Sequence, residues 1–429
     1  MTLVTSPQTR TPRRPGLQPV PPAIIRGTEA LPALHVVEEI PGDLGVLLWR
    51  SVRNVHLWAH TPPPQRAALF DPGAAAARAA ELIRLRPEAE LVAPLSVIVA
   101  LLEAPERVEV KRLVNACRRV AMWAEARGSL GTALEFAQAA ALAAGDDASL
   151  AVDVGRLARR RAEYDRAESW FARAIVQGRR SGDWRAYSLA FIGIGNMYVR
   201  RGNFRLARRA FVRSLRAALR HRFRDVCAMA YHDLFACETD TGGGLEASEL
   251  ASKAFQAYGA RNPRVSRLAY DVAYHWAHLA CFGPAARIAE ALVPHFDAPA
   301  ERALVLGLLA RSAGGIGDRG LFERARAELE SLVDATPARD SFAAALLGLS
   351  YGATSMSDDE VAVRSATLAL EIATERKEGR IQVLAEEALE SARAARREAQ
   401  AALPGTPIAD DLADKFVRAL TRLPIEVGS

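Results

Sequence analysis

The residues that could do chemistry in this 429-residue chain are few, and two histidine pairs come first. His56 and His60 are one helical turn apart in the run HLWAH, a spacing at which two imidazoles can share a metal ion. The glutamate that follows the first histidine in zinc peptidases is missing, because Leu57 occupies its position. His275 and His278 are three residues apart, with no obvious third ligand. We therefore expect ordinary structural histidines and no bound metal.

The four cysteines also lack the spacing of a metal site or of a disulfide scaffold. Each occurs singly on an apolar helical face, where a thiol behaves as a small buried hydrophobe. These residues are Cys117, Cys227, Cys237 and Cys281. Because cysteines are few and the N-terminus lacks the apolar core of a signal peptide, we expect a cytoplasmic protein.

Gly315, Gly317 and Gly320 form the pattern G-x-G-x-x-G, which in dinucleotide-binding proteins approaches a pyrophosphate. That chemistry requires a strand before the glycines and a helix after them. A helical pattern over residues 302–312 precedes them here, so we interpret the glycines as a turn between two helices. The chain has no P-loop motif, and its paired carboxylates lie near expected helix starts, where acids cap free N–H groups. We predict no cofactor and no enzymatic activity.

The elements that must position any site are helical over nearly the whole chain. Half of the residues are hydrophobic and a quarter are charged, so we do not expect most of the chain to be disordered. Alanine, leucine, arginine and glutamate recur with helical period, glycines interrupt them at regular intervals, and no segment alternates as a strand does. No uncharged run is long enough to cross a membrane. We therefore expect an all-α protein without a membrane span.

Two stretches align without gaps at an offset of 40 residues, 155–175 and 195–215. In each, a glycine is followed seven residues later by a small residue, and then by an aromatic residue, an alanine and a phenylalanine. In the second stretch these residues are Gly195, Gly202, Phe204, Ala207 and Phe211. Small residues let two antiparallel helices approach closely, and the aromatic residues fill the space towards the next pair.

This pattern resembles the tetratricopeptide repeat, whose signature combines a leucine–glycine pair, an aromatic residue, a turn glycine, and later alanine and aromatic positions. Ile194, in place of the leucine, and Tyr198 extend the match of the second stretch, whereas the first stretch departs from it at Ala158. Weaker copies are marked by the alanine of each second helix. These alanines are Ala133, Ala167, Ala207, Ala247, Ala286, Ala325 and Ala362. The 40-residue step resembles the longer repeats of bacterial regulatory proteins.

The resemblance implies an α-solenoid of about seven antiparallel helix pairs, wound as a right-handed superhelix, over residues 105–402. We further predict a disordered arm rich in proline and arginine over 1–40, a helical N-terminal segment and cap over 41–104, and a C-terminal helix and tail over 403–429. The helix expected over 43–60 has an apolar stripe. Docking of this stripe on the array is favoured, while capping or binding to a partner or a membrane surface stays open.

The net charge of +6 conceals two opposed blocks. Residues 156–224 contain 19 arginines and four acidic residues, whereas residues 323–415 contain 18 acidic and 11 basic residues. The basic block indicates either a solvated arginine-rich surface or an anionic partner. Several of its arginines fall on second helices and are expected to face outward into solvent. They are Arg166, Arg173, Arg208, Arg209 and Arg213.

In the family that the chain resembles, the first helix of each pair lines a concave groove. Carried over to this sequence, the groove positions are Arg156, Arg159, Arg160, Asn196, Arg200, His275 and His278. Arginine and asparagine occur in two adjacent repeats, but lysine is absent and the third repeat adds no basic residue. A carboxylate clamp in the form used by chaperone-binding members is therefore not expected, whereas planar guanidinium groups suit an acidic peptide.

We therefore expect a non-enzymatic scaffold or adaptor that binds an acidic segment of a protein partner in its groove. Two less favoured alternatives stay open. The first is association with nucleic acid through the basic block and the arm. Against it, aromatic residues do not interleave with the arginines in the sequence as a stacking surface requires. The second is a regulatory protein whose concave surface senses a small ligand.

Overall fold

A computed structural model describes the chain over residues 33–335, 342–375, 378–393 and 407–424. The regular structure of these residues is helical throughout, without a strand among them. The predicted all-α fold is therefore confirmed. The chain divides into two compact units, Met1–His221 and Arg222–Ser429, which are described separately.

The first unit contains ten α-helices within its described residues, together with a 3₁₀ helix at Pro63–Ala68. The α-helices are α1 (His35–Glu39), α2 (Asp43–His60), α3 (Ala74–Leu85), α4 (Ala89–Glu103), α5 (Val110–Ala126), α6 (Leu130–Ala143), α7 (Ala148–Arg160), α8 (Tyr164–Ser181), α9 (Trp184–Arg200) and α10 (Phe204–Arg220). Helices α5 to α10 pack as three antiparallel pairs, α5 with α6, α7 with α8 and α9 with α10.

Polar caps and glycines set the ends of these helices. Asp147, Asp183 and Asn203 accept hydrogen bonds from free backbone N–H groups at the starts of α7, α9 and α10. Gly182 and Gly202 adopt positive φ angles of 77° and 70° in the tight turns before α9 and α10. Glycine reaches this conformation without the steric cost that a side chain would add.

The repeat pattern of the sequence corresponds to a packing contact between paired helices. Gly155 of α7 faces Phe171 of α8, and Gly195 of α9 faces Phe211 of α10. A Cβ atom at Gly155 would lie 2.7 Å from Phe171 Cδ1, and one at Gly195 would lie 2.3 Å from Phe211 Cε1. Both phenylalanines are buried. The glycines therefore provide the space that the phenylalanines occupy within each pair. Phe171 also lies against Gly193 of α9, towards the next pair as predicted.

Helix α2 docks on the rest of the first unit through its apolar stripe. It packs against α4 and α6. Trp58 Nε1 donates a hydrogen bond of 2.6 Å to the carbonyl oxygen of Pro105. The fully buried side chains of the stripe are Leu47, Leu48, Val52 and Val55. The favoured prediction for this helix, docking within the chain, is therefore confirmed.

Helix α1 lies inside the stretch predicted to be a disordered arm. Its Glu39 accepts hydrogen bonds from the backbone N–H groups of Gly131, at 2.8 Å, and Thr132, at 2.7 Å. These groups belong to the first turn of α6, where a carboxylate satisfies free donors and the helix dipole. The prediction of disorder is therefore wrong for residues 35–39, while residues 1–32 of the arm lie outside the described residues.

The second unit also contains ten α-helices within its described residues, with 3₁₀ helices at Leu245–Ala247 and Val293–His295. The α-helices are α11 (Arg224–Asp240), α12 (Ser248–Tyr258), α13 (Arg264–His278), α14 (Phe282–Leu292), α15 (Pro299–Ile316), α16 (Arg319–Ala335), α17 (Phe342–Ser355), α18 (Asp359–Glu375), α19 (Gly379–Arg393) and α20 (Pro407–Leu420). Helices α11 to α18 pack as four successive pairs.

The seven alanines that marked second helices are all buried. Six lie within the second helix of a pair, and Ala247 lies in the 3₁₀ turn directly before α12. With three pairs in the first unit and four in the second, the described residues contain the seven predicted helix pairs. Each unit therefore stacks helix pairs as an α-solenoid does.

The glycine motif lies at a turn between two of these helices. Gly315 belongs to the last turn of α15, Gly317 ends that helix with a φ of 76°, and Gly320 belongs to the first turn of α16. The prediction that these glycines form a helix–helix turn is confirmed.

The predicted C-terminal helix is present as α20, and it folds back on the second unit. It packs against α12, α13 and α14. The rings of Phe416 and Phe255 meet edge to face with centroids 5.1 Å apart. Arg287 donates hydrogen bonds to Asp410, at 2.7 Å, and to Asp414, at 2.6 Å. Residues 394–406, which include the predicted end of the array, and residues 425–429 lie outside the described residues.

Candidate binding sites

Two arginines predicted to line the groove are engaged by a carboxylate of the protein itself. Arg156 Nη2 donates a hydrogen bond of 2.8 Å to Glu125 Oε2, and Arg160 pairs with the same carboxylate. Glu125 lies in the last turn of α5, the first helix of the preceding pair. The hydrogen bond from Arg156 is the largest cause of the lowered pKa of Glu125. Part of the positive charge predicted for this section of the groove is therefore balanced internally.

The other predicted groove residues of the first unit have mixed surroundings. Arg159 of α7 and Asn196 of α9 are half-buried, whereas Arg200, the last residue of α9, is exposed. The structure thus joins Arg156 and Arg160 through Glu125 and leaves Arg200 open to solvent.

Two arginines expected in solvent instead bridge neighbouring second helices. Arg166 of α8 donates hydrogen bonds to Glu163, at 3.0 Å, and to the buried side chain of Glu135 on α6, at 3.1 Å. Arg173 donates a hydrogen bond of 2.6 Å to the carbonyl oxygen of Gly145. The expectation of a solvated face is therefore wrong for both, because α6 and α8 lie close enough for a long side chain to reach across.

The two predicted histidines lie in the second unit and differ in environment. His275 is buried, its Nε2 lies 3.2 Å from the carbonyl oxygen of Gly244, and its ring packs edge-on against Phe235. Burial lowers its pKa, and we interpret it as a structural residue. His278 Nδ1 donates a hydrogen bond of 2.9 Å to the carbonyl oxygen of Tyr274, so Nε2 is the acceptor of a neutral ring.

His278 borders a pocket of about 120 Å³, which we call the Arg311 pocket, formed by α13, α15, α17 and α19. Arg311 Nη1 donates to His278 Nε2 at 3.2 Å, and its guanidinium lies 4.8 Å from the centroid of the Tyr351 ring. Tyr270 and Tyr274 extend the aromatic wall. Burial first, and then the charge of Arg311, lowers the pKa of His278 to about 4. The imidazole is therefore neutral at pH 7.

The charge of Arg311 is not balanced by a carboxylate in the described part of the chain, since none lies within 4.0 Å of its guanidinium. Burial lowers the pKa of Arg311, but a guanidinium stays charged at pH 7. A half-buried guanidinium against aromatic rings can donate charge-assisted hydrogen bonds to an anionic oxygen. Sequence reasoning found His278 but missed Arg311, for which the available signal was an arginine within the apolar run of α15.

A second candidate site, the α8–α10 cleft, lies in the first unit outside the predicted groove. It has a volume of about 570 Å³ and is bounded by the end of α8, the first half of α9 and the second half of α10. Its basic residues are Arg179, Arg213, Arg216 and Arg220. Its rings are Trp184, Tyr187, Phe191 and His221. Aromatic rings therefore lie beside the arginines in this cleft, although the two residue types do not interleave in the sequence. Arg213 is exposed, as expected, and its guanidinium also lies 5.7 Å from the centroid of the Phe191 ring.

The histidine pair of α2 has no metal-ligand geometry. His56 is buried, burial lowers its pKa to about 4, and His60 Nδ1 donates a hydrogen bond of 2.8 Å to the His56 carbonyl oxygen. Among the described residues, no group of three or more His, Cys, Asp or Glu side chains is arranged to hold a metal ion. Over the same part of the chain, no helix combines the length and the apolar character needed to cross a bilayer.

Comparisons with known proteins provide no family assignment. No protein-family model matches the sequence, and no curated protein matches it. Among solved structures, BtubC (BKLC) from P. vanneervenii is similar over 53% of this chain and 91% of its own, with 14% sequence identity and a TM-score of 0.41. A circular tandem repeat protein with novel repeat topology is similar over 86% of this chain and 88% of its own, with 15% identity and a TM-score of 0.16. Similarities this weak indicate no function.

Proposed function

We propose that this protein is a non-enzymatic scaffold of the tetratricopeptide-repeat type that binds a carboxylate-bearing segment of a protein partner. The observation that supports this most directly is the Arg311 pocket. Arg311 is the kind of cation that a partner's carboxylate can neutralise, because no carboxylate of the described residues does so. The pocket lies on first helices, the face that the resemblance assigns to peptide binding.

The pocket also limits what is bound there. Its volume of about 120 Å³ suits one acidic side chain or one chain terminus rather than a whole ligand. The neutral ring of His278 accepts one guanidinium N–H and leaves the others available. We therefore assign to Arg311 the anchoring of one carboxylate, while neighbouring surface of the first helices contacts the rest of the segment.

The acidic-peptide hypothesis is modified for the first unit. Glu125 already neutralises part of the positive charge of Arg156 and Arg160, so an acidic segment would have to displace it. Arg200 remains available as an exposed cation. The cytoplasm remains our proposal for the location, since none of the four cysteines is joined in a disulfide, and free thiols are common in reducing compartments.

The test uses synthetic acidic decapeptides with free or amidated C-termini, and their binding to the full chain is measured by fluorescence polarisation. We expect Arg311→Gln to weaken binding about tenfold, because a charge-assisted hydrogen bond is lost. The matched control, Arg324→Gln, removes an exposed arginine from the second helix α16 and should leave binding unchanged. Unchanged binding by Arg311→Gln would contradict the proposal. A difference between free and amidated peptides would identify the C-terminus as the anchored group.

A further inference from the structure

The α8–α10 cleft combines arginine and aromatic side chains that have no part in the proposed peptide binding. Its arginines are all exposed, and no carboxylate of the described residues lies within 4.0 Å of any of them. Among the residues that the structure describes, no acidic side chain lines the cleft. Four positive charges in one concavity repel each other and create a positive potential, so an anion that enters the cleft is stabilised. The charge alone indicates an anionic ligand.

The aromatic rings of the cleft hold one another in place. Trp184 and His221 stack with centroids 5.0 Å apart and planes 10° apart. Tyr187 packs edge to face against Trp184 at 5.5 Å and against Phe191 at 5.0 Å, and the Arg213 guanidinium lies 5.7 Å from the Phe191 centroid. Trp184 and Tyr187 are half-buried, so part of each ring is accessible. Rings fixed in this way lose little entropy when a planar ligand packs against them.

Helical spacing explains why these groups face one another. Trp184, Tyr187 and Phe191 are three and four residues apart on α9, and Arg213, Arg216 and Arg220 repeat that spacing on α10. Side chains at this spacing lie on one face of a helix. Because α9 and α10 pack against each other, the aromatic face and the basic face border the same cleft.

We propose that the α8–α10 cleft binds a nucleotide unit, with its base against the rings of Trp184 and Tyr187 and its phosphate on Arg213, Arg216 and Arg220. Guanidinium groups match phosphate oxygens in bidentate geometry. Unpaired bases are commonly held by stacking on aromatic and arginine side chains. The cleft volume of about 570 Å³ lies in the range of small-ligand sites. Acidic peptide carboxylates would satisfy the arginines but would leave the rings without a role.

The nucleotide unit is either free or part of a single strand, and the experiment distinguishes these sources. Binding of the full chain to a labelled strand of ten uridine nucleotides is measured by fluorescence anisotropy at several salt concentrations. ATP, inorganic polyphosphate and polyglutamate are tested as competitors. Displacement by ATP identifies a free nucleotide as a ligand, while displacement by unlabelled strand but not by ATP identifies single-stranded nucleic acid. Either result supports the site.

Arginine variants test the phosphate contacts. Arg216→Gln with Arg220→Gln should weaken strand binding at least tenfold. The double variant should also make the affinity less dependent on salt, because fewer phosphate contacts release fewer counterions. The matched control, Arg205→Gln with Arg209→Gln, removes the same charge from exposed positions of α10 outside the cleft and should have a much smaller effect. Equal losses from both double variants would indicate a general basic surface and would overturn the proposal.

Ring variants test the base contacts. Trp184→Ala should weaken strand binding about tenfold and leave polyphosphate binding unchanged, whereas Trp184→Phe should retain most of the strand affinity. Circular dichroism establishes that the variants fold. The proposal fails if neither the strand nor fluorescently labelled ATP binds at low salt, or if polyphosphate and polyglutamate compete as well as nucleotides do while Trp184→Ala has no effect. Arg311→Gln should leave strand binding unchanged, so failure here is distinguishable from failure of peptide binding.

Discussion

Two groups of arginines from the same basic block have opposite environments in the first unit. The guanidinium groups of Arg156 and Arg160 on α7 share the carboxylate of Glu125. The arginines of the α8–α10 cleft face aromatic rings and, within the described residues, no carboxylate. The difference arises from the helix next to each group. The last turn of α5, which lies near α7, contains Glu125, whereas α9, which packs against α10, begins with Trp184. High arginine density therefore does not by itself identify a binding surface.

The largest expected effect comes from disturbing the contact between Gly195 of α9 and Phe211 of α10, two helices that border the cleft. We expect Gly195→Ala to lower the free energy of unfolding by about 2 kcal/mol, because the new Cβ would collide with Phe211. This cost exceeds the helix propensity that alanine adds, about 1 kcal/mol. Urea unfolding followed by circular dichroism measures the change. Phe211 lies two residues before Arg213, so the variant should also weaken nucleotide binding. The pairs of Arg156 and Arg160 with Glu125 lie on other helices and should be retained.

The control for this prediction is Gly283→Ala in α14. A Cβ atom at Gly283 meets nothing within 4 Å, so the variant should be as stable as the natural protein or slightly more stable. Equal stability of Gly195→Ala and Gly283→Ala would contradict the tight contact between α9 and α10.

A smaller effect is expected from removing the charge of Glu125. Glu125→Gln should lower the free energy of unfolding by about 1 kcal/mol, because charge-assisted hydrogen bonds become weaker while solvent already screens part of the interaction. The corresponding change in the cleft, Arg216→Gln, should leave that free energy within about 0.5 kcal/mol of the original, since no carboxylate pair is lost. Equal changes in urea unfolding for the two variants would eliminate the proposed difference between the two groups.

The smallest expected effect is a change in the pH dependence of stability. The pKa of Glu125 in the folded protein is below its ordinary value of 4.5. The unfolded chain therefore binds more protons as the pH falls through 4.5, and stability decreases until the folded carboxyl is protonated as well. We expect Glu125→Gln to lose stability less steeply than the natural protein as the pH falls below 4.5. Arg216→Gln should show the same dependence of stability on pH as the natural protein. If Glu125→Gln loses stability as steeply as the natural protein does, other carboxylates cause the acid sensitivity.

The helix pairs could be predicted because their contacts recur at a regular spacing along the chain. Gly155 and Phe171 lie on consecutive helices, so the pair repeats as Gly195 and Phe211 and appears as a pattern. Helix α1 could not be predicted in the same way. It has five residues, too few for periodicity to indicate a helix, and Glu39 ties it to α6, which is distant in the sequence.

The candidate sites were only partly predictable. His278 could be identified from its position in a first helix, but its hydrogen bond to Arg311 connects α13 with α15. Trp184 and Arg216 each belong to a helical face with regular spacing, yet whether those faces border one cleft depends on how α9 packs against α10. Spacing along a helix indicates which side chains share a face, but not what lies opposite that face.

The amino-acid sequence by itself determined that this protein is helical, that its helices form about seven pairs and that the spacing of glycine and phenylalanine repeats in two of them. These features depend on interactions between residues near one another in the chain, which propensity and periodicity record. Tertiary structure alone decided which arginines are neutralised internally and which remain available. Coulombic pairing and ring stacking act over a few ångströms, so they depend on distances between helices, and composition does not contain those distances.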